Sequence, residues 1–375
     1  MERLIRLYEE FGQSPWLDNL TRGFLTSGQL AEWRDGGIRG LTSNPTIFQK
    51  AISGSADYDE QFSGIATDGG PVLDDYWALV LSDINGACEV FDPLYEQSDG
   101  RDGFVSVEVD PGLAHDSAGT EAAARDLHER IGRRNLMVKI PATAEGIAPI
   151  RQMLSEGRNI NITLIFSLER HQEVMDAYLD GLEAYAGLDA SDLSKVASVA
   201  SFFVSRVDTE VDRRLEAIGT PEALELRGKA AVAQAKLAYR QFSETFSGPR
   251  WEALASRGAR VQRPLWASTS TKNPAYPDTL YVDELIGPDT VNTLPDATIE
   301  AFSDHGTLAR RVDADVDEAE ATWRRLGEVG VDLADVSDTL EREGVTNFEK
   351  SFAELLDALQ AKAAELSGSE PPPSR

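Results

Sequence analysis

The sequence predicts a single (β/α)8 barrel, and three observations carry that prediction. Eight short apolar or β-branched runs recur along the 375 residues, separated by longer segments with helical periodicity. No Pro/Gly/Ser-rich linker divides the chain, so a two-domain doubly wound reading has less support. Polar side chains able to do chemistry fall near the C-terminal ends of the runs, where this fold keeps its active sites.

Taken in order, SPWLD at 14–18 is the first strand, and GIRGLTSN at 37–44 the second. The interval 45–102 is long enough for more than one helix before GFVSVEV at 103–109. EAAARDLHERIG, rich in Ala, Leu, Glu and Arg, reads as a helix and leads into NLMVKI at 135–140. NINITLIFS at 159–167 is the fifth strand, LERHQEVMDAYLDGLEAYAG the helix after it, and KVASVASFF at 195–203 the sixth strand. A second long interval, 204–260, again holds several helices, and VQRPLWAS at 261–268 and DTVNTLP at 289–295 complete the eight. The stretch 296–366 reads as helical, and SGSEPPPSR, 367–375, as a disordered tail. One barrel is thus expected over 1–366, with extra helices in the second-to-third and sixth-to-seventh intervals and at the C-terminus.

Composition narrows function. Hydrophobic residues at 41% suffice for a core, and a formal net charge of −28 argues against nucleic acid and against an anionic membrane. The opening MERLIRLYEEF is amphipathic rather than a secretion leader, and no apolar run approaches the roughly 20 residues of a membrane span. A single cysteine, Cys88, leaves no internal disulfide and fits a reducing, cytoplasmic setting; in a helical stretch, it reads as an inert core thiol. His115, His128, His171 and His305 lack metal-ligand spacing, and His128 and His171 are expected on helix surfaces. DADVDEAEATWR, from Asp313, begins like a calcium loop. Glu318 stands where glycine is needed and Arg324 where glutamate is needed, so it reads as a solvated helix start. Arg133-Arg134 belongs at the N-terminal face of the barrel, away from any chemistry.

Lys139 is the residue that asks for a reason. It sits in NLMVKIPAT, and burying an amine in a short apolar strand costs stability unless the charge is removed or paired. An amine is a nucleophile only when neutral, and apolar surroundings disfavour the ammonium. A neutral lysine can form a Schiff base with a ketone, and the protonated imine then draws electrons from the adjacent carbon–carbon bond without a metal. Carboxylates must move the protons, and Asp18 and Glu108 fall at the ends of the first and third strands. Asn44 follows the second, Thr163 sits in the fifth, Ser201 falls late in the sixth and Ser268 closes the seventh. Plainer readings stand beside these. Lys139 can be a snorkelling strand-end lysine, Asp18 a turn or helix cap, and Asn44 before Pro45 a turn. Arg206, in SRVDTEVDRR, can pair with Asp208 or Glu210, and Ser201 and Phe203 can be plain strand lining.

Several of these segments together resemble the transaldolases, in the medium-length bacterial branch. GLTSNPTIF at 40–48 is similar to that family's first signature and LMVKIPATAEGI at 136–147 to its lysine signature. NINITLIFS, VASFFVSRVD and WASTSTKNP follow the same pattern, so the resemblance spans nearly the whole chain. It implies a (β/α)8 fold and cofactor-free transfer of a dihydroxyacetone unit. The donors are sedoheptulose 7-phosphate and fructose 6-phosphate; the acceptors are glyceraldehyde 3-phosphate and erythrose 4-phosphate. By motif position it implies Lys139 as the Schiff-base lysine and Asp18 as the acid/base at the C4 hydroxyl. Glu108 and Thr163 would hold the water of imine chemistry, and Asn44 and Ser201 the dihydroxyacetone hydroxyls. Phe203 would wall the pocket, and Arg206 would bind the phosphate.

The chain departs from the pattern after the seventh strand. Many transaldolases place a second phosphate-binding arginine there, whereas Ser268 is followed by TSTKNP, leaving Lys272 as the nearest cation. Two rival readings remain: a fructose 6-phosphate aldolase that only cleaves, and a non-catalytic barrel that binds sugar phosphates. The aldolases typically carry glutamine in place of Glu108 and tyrosine in place of Phe203. The expected partners are small sugar phosphates, with no nucleic acid and no membrane, and the expected assembly is a monomer or homodimer.

Overall fold

Eight parallel strands follow one another round a closed barrel in chain order, each paired with the next and the eighth with the first. They are β1 (Gln13–Leu17), β2 (Gly40–Thr42), β3 (Phe104–Glu108), β4 (Leu136–Pro141), β5 (Ile160–Ile165), β6 (Ser198–Phe203), β7 (Arg263–Ala267) and β8 (Thr290–Leu294). Six lie inside the runs the sequence assigns to them, and β1 and β4 each reach one residue beyond theirs, to Gln13 and Pro141. The computed structural model describes residues 2–66, 70–189 and 191–367. Of the expected tail, all but Ser367 lies outside the described residues.

The strands are buried along nearly their whole length, because the barrel lining covers one face and the helices cover the other. That is why they read as short apolar runs rather than as strict alternation. Register places the chemistry: Glu108 on β3 lies beside Lys139 on β4, which lies beside Asn161 on β5. β5 slips register between Ile162 and Ile165, and Leu164 there adopts a left-handed φ of 60°. A bulge of this kind re-aims neighbouring side chains next to a site, and Thr163 is the residue before it. Gly40 on β2 permits a close approach of a different sort. A Cβ there would lie 2.5 Å from the Trp16 ring, so the fully buried indole packs directly on the strand backbone.

Both long intervals carry several helices, including Pro45–Gly54 and Val72–Gln97 in the first and Ser205–Ile218 and Ala230–Thr245 in the second. Cys88 is buried on Val72–Gln97, and burial pushes its thiol up to about 12, which keeps it inert at neutral pH. Residues 296–367 form three helices, of which Leu333–Ser367 is the longest. It crosses the C-terminal mouth of the barrel: Ser337 Oγ donates to the Phe166 carbonyl at 3.1 Å, and Ser351 and Thr46 share a 2.8 Å hydroxyl contact. At the opposite end, Arg133 and Arg134 precede β4 and pair with Glu89, Asp92 and Glu96. The Asp313 segment is a helix start, leading into Val316–Glu328.

The histidine expectation is corrected. His171 is fully buried, edge-on to Phe202 with ring centroids 5.6 Å apart, and His128 is half-buried. On the helix Leu168–Ala186, His171 shares a face with Val174, Met175 and Tyr178, the i, i+3, i+4, i+7 stripe that packs on the sheet. Burial pushes both imidazoles down to about 4, so both are neutral at physiological pH. Among the described residues no helix is long and apolar enough to cross a membrane, and no group of three or more His, Cys, Asp or Glu side chains could hold a metal ion.

Candidate active site

The C-terminal mouth of the barrel encloses a cavity of about 360 Å³ lined by residues from seven of the eight strands' ends and by three flanking helices. Lys139 lies on its floor, 4% exposed, where β4 gives way to Pro141. Its Nζ sits 3.2 Å from Glu108 Oε2 and donates to the Ser43 carbonyl at 3.1 Å. Ser43 is itself tied down, its Oγ donating to the Ser106 carbonyl at 2.8 Å. The amine is therefore held by one carboxylate and one carbonyl on two neighbouring strand ends. Glu108 is 6% exposed, and its burial raises the carboxyl above the usual range, opposed by the Lys139 charge beside it. A carboxyl so raised can take a proton from the amine, which suits a lysine that must become neutral.

Asp18 follows β1 on the cavity wall, and its backbone N–H donates to Leu294 O. It caps no helix: the next helix, Arg22–Thr26, is capped by Thr21. Enclosure pushes its carboxyl up, against the opposing pull of Lys139, Lys272 and Arg206. One carboxyl raised by burial thus lines the cavity with the lysine, and a second, Glu108, contacts the lysine from β3. Thr163 is fully buried, and among the described residues its Oγ1 has no hydrogen-bond partner. A buried hydroxyl with nothing to bond is costly unless a water or substrate atom completes it.

The other expected residues also converge here. Asn44 is the N-cap of Pro45–Gly54: its Oδ1 accepts from the Ile47 N–H at 3.0 Å, while the residue still lines the cavity. Its oxygen is fixed as the helix cap, and among the described residues its amide nitrogen makes no hydrogen bond. Ser201 Oγ donates to Asn161 Oδ1 at 2.7 Å, and Asn161 Nδ2 donates to Ser106 Oγ at 3.0 Å. The chain of bonds leaves the Ser201 oxygen as an acceptor toward the cavity. Phe203 packs 5.0 Å from Phe166 between centroids, and the Arg206 guanidinium lies 5.2 Å over its ring.

Arg206 settles one alternative. Asp208 is occupied by the Ala231 N–H and the Tyr281 hydroxyl, and Glu210 by Arg213 and Arg214. Among the described residues Arg206 makes no ion pair or side-chain hydrogen bond, and enclosure lowers its pKa. Ser268 has a left-handed φ of 58°, and its hydroxyl lies 2.9 Å from that of Ser205. Lys272 reaches the cavity and bonds the Ser270 hydroxyl.

Four residues escaped the sequence reading. Asn161 shares a strand face with Thr163, so alternation offered a signal for it; Thr42, on β2, lines the cavity with an Oγ1 that has no hydrogen-bond partner among the described residues. Lys50 lies one i+3 step beyond Ile47 on the helix Pro45–Gly54, and both line the cavity. Phe348 comes from the C-terminal helix, and nothing local foretells its arrival at the mouth.

Fold and cavity together define a (β/α)8 enzyme organised around a buried amine–carboxylate pair with a cationic mouth. The chain belongs to the transaldolase/fructose-6-phosphate aldolase family, whose model matches residues 15–359. It is similar to the transaldolase of Acidothermus cellulolyticus, 53% identical over 351 residues that cover 93% of this chain and 94% of that one. The transaldolase of Saccharopolyspora erythraea is 52% identical, covering 93% and 94%, and that of Thermobifida fusca 52% identical, covering 94% and 96%.

Proposed function

We propose that this enzyme carries out its transaldolase reaction through a Schiff base on Lys139. The activity is transfer of a three-carbon ketol unit between sugar phosphates, in keeping with the transaldolases it resembles over nearly its full length. The observation that carries the mechanism is the Lys139 amine, buried on the cavity floor within 3.2 Å of a carboxyl that burial has raised.

The steps follow from that placement. Glu108 takes the proton from Lys139, and the neutral amine adds to the C2 carbonyl of a ketose phosphate such as sedoheptulose 7-phosphate or fructose 6-phosphate. Loss of water gives the protonated imine, with Glu108 and Thr163 handling that water. Asp18 removes the C4 hydroxyl proton; the C3–C4 bond breaks, its electron pair passes into the imine, and an aldose phosphate leaves. The enamine waits on Lys139. Its carbon attacks an acceptor aldehyde, glyceraldehyde 3-phosphate or erythrose 4-phosphate, and Asp18 returns the proton to the new hydroxyl. Water then releases the product ketose. Asn44 and Ser201 are suited to hold the unit's hydroxyls, Arg206 and Lys272 the phosphate, Ser268 its oxygen shell, and Phe203 to keep proton donors from the enamine. Residues 1–366 act as one unit in this reading, soluble sugar phosphates are its partners, and the cytoplasm, with a monomer or homodimer, its setting.

The test is borohydride trapping with fructose 6-phosphate, followed by digestion and mass mapping. A reduced three-carbon adduct on Lys139 is expected. A folded protein that yields none with either ketose phosphate would overturn the mechanism. Adding erythrose 4-phosphate then separates transfer from simple cleavage.

A further inference from the structure

We infer that Lys50 forms an outer phosphate seat that lets the site accept sugar phosphates differing by one carbon in length. The inference rests on the Schiff-base reading above and extends it to chain-length specificity.

The wall made by the helix Pro45–Gly54 runs from depth to surface. Asn44, Ile47 and Lys50 recur on one face and all line the cavity; Asn44 and Ile47 are half-buried and Lys50 is exposed. Six residues of helix separate Lys50 from the Asn44 cap by about 9 Å along the axis. Arg206 and Lys272 line the same cavity; Arg206 is half-buried, whereas Lys272 and Lys50 are exposed. Among the described residues Lys50 makes no ion pair. That is notable in a chain with 64 acidic against 36 basic residues, where carboxylates are in excess. Three cations with no carboxylate salt bridge at one mouth await an anion.

Chemistry supplies the reason for two seats. With C2 of every ketose fixed at the Lys139 nitrogen, the phosphate of a seven-carbon donor lies one carbon further out than that of a six-carbon donor. The same offset separates a four-carbon acceptor from a three-carbon one. A single rigid arginine fork would favour one register. A lysine presents a point charge on a flexible stem and can follow the phosphate outward.

The experiment compares both donors in the wild type and in Lys50→Met, which keeps an apolar stem of similar length at an exposed helix position. The KM for sedoheptulose 7-phosphate should rise roughly tenfold, as expected for losing one charge-assisted contact. The KM for fructose 6-phosphate should rise less than about threefold, and kcat for each should stay within about twofold. Equal KM rises for the two donors, or no rise for either, would overturn the inference. Reductive trapping of free dihydroxyacetone on Lys139 keeps the two failures apart. If wild type traps nothing, the Schiff-base reading falls and this inference with it. If both proteins trap the adduct while the donor preference is unmoved, Lys50 alone loses its role.

Discussion

Replacing Glu108 by Gln removes the carboxylate that faces the buried amine and keeps its shape. At 3.2 Å and an effective dielectric near 20, the pair interacts by about 5 kcal/mol before either charge's desolvation is subtracted. Both partners are more than nine-tenths buried, so most of that attraction is spent on desolvation. The orphaned lysine also keeps its hydrogen bond to the Ser43 carbonyl. A net stability loss of about 2 kcal/mol therefore follows, below the full cost of breaking a buried pair. The kinetic effect should be larger: with no proton acceptor beside the amine or the imine water, Schiff-base formation should slow by roughly 10²-fold or more. Rapid-quench borohydride trapping with fructose 6-phosphate measures that step directly, and denaturant unfolding measures stability. A variant that traps within about threefold of the wild-type rate would refute the assignment of imine proton transfer to Glu108, whatever its stability.

Further outcomes are expected elsewhere. Burial raises the Asp208 carboxyl to about 6, so the folded state holds a proton that the unfolded chain has released. This contribution to stability is complete below the unfolded value near 4 and is lost as pH rises to about 6. Asp208→Asn should flatten that slope in chemical unfolding between pH 4 and 6 and gain about 3 kcal/mol at pH 7; an unaltered slope would contradict it. Gly40→Ala would drive a methyl into the Trp16 ring and should cost about 2–3 kcal/mol, read as a lower unfolding midpoint. Phe203→Tyr places a hydroxyl beside the enamine and should raise dihydroxyacetone release relative to transfer; an unchanged ratio would sink the idea that Phe203 works by lacking a proton.

The strands were legible because a barrel strand is buried on both faces and short, leaving a local apolar signature in each of eight places. Lys139 stood out for the same reason, as a charge inside such a run. His171 is buried although its residue type favours a surface, because position in the helical stripe decides: Val174, Met175 and Tyr178 mark its face as inward.

By itself, then, the sequence determined the element order, the lysine and the strand-end polar set, since each depends on residues within a few positions of one another. Only the tertiary structure decided what those groups are free to do. Arg206 is left open because Tyr281, Ala231, Arg213 and Arg214 take the acids that flank it. Glu108 meets Lys139 because β3 and β4 align in register, and Phe348 and Lys50 reach the mouth on helices that close round it. Such relations join residues up to hundreds of positions apart. They are set by barrel closure and packing, which no local pattern encodes.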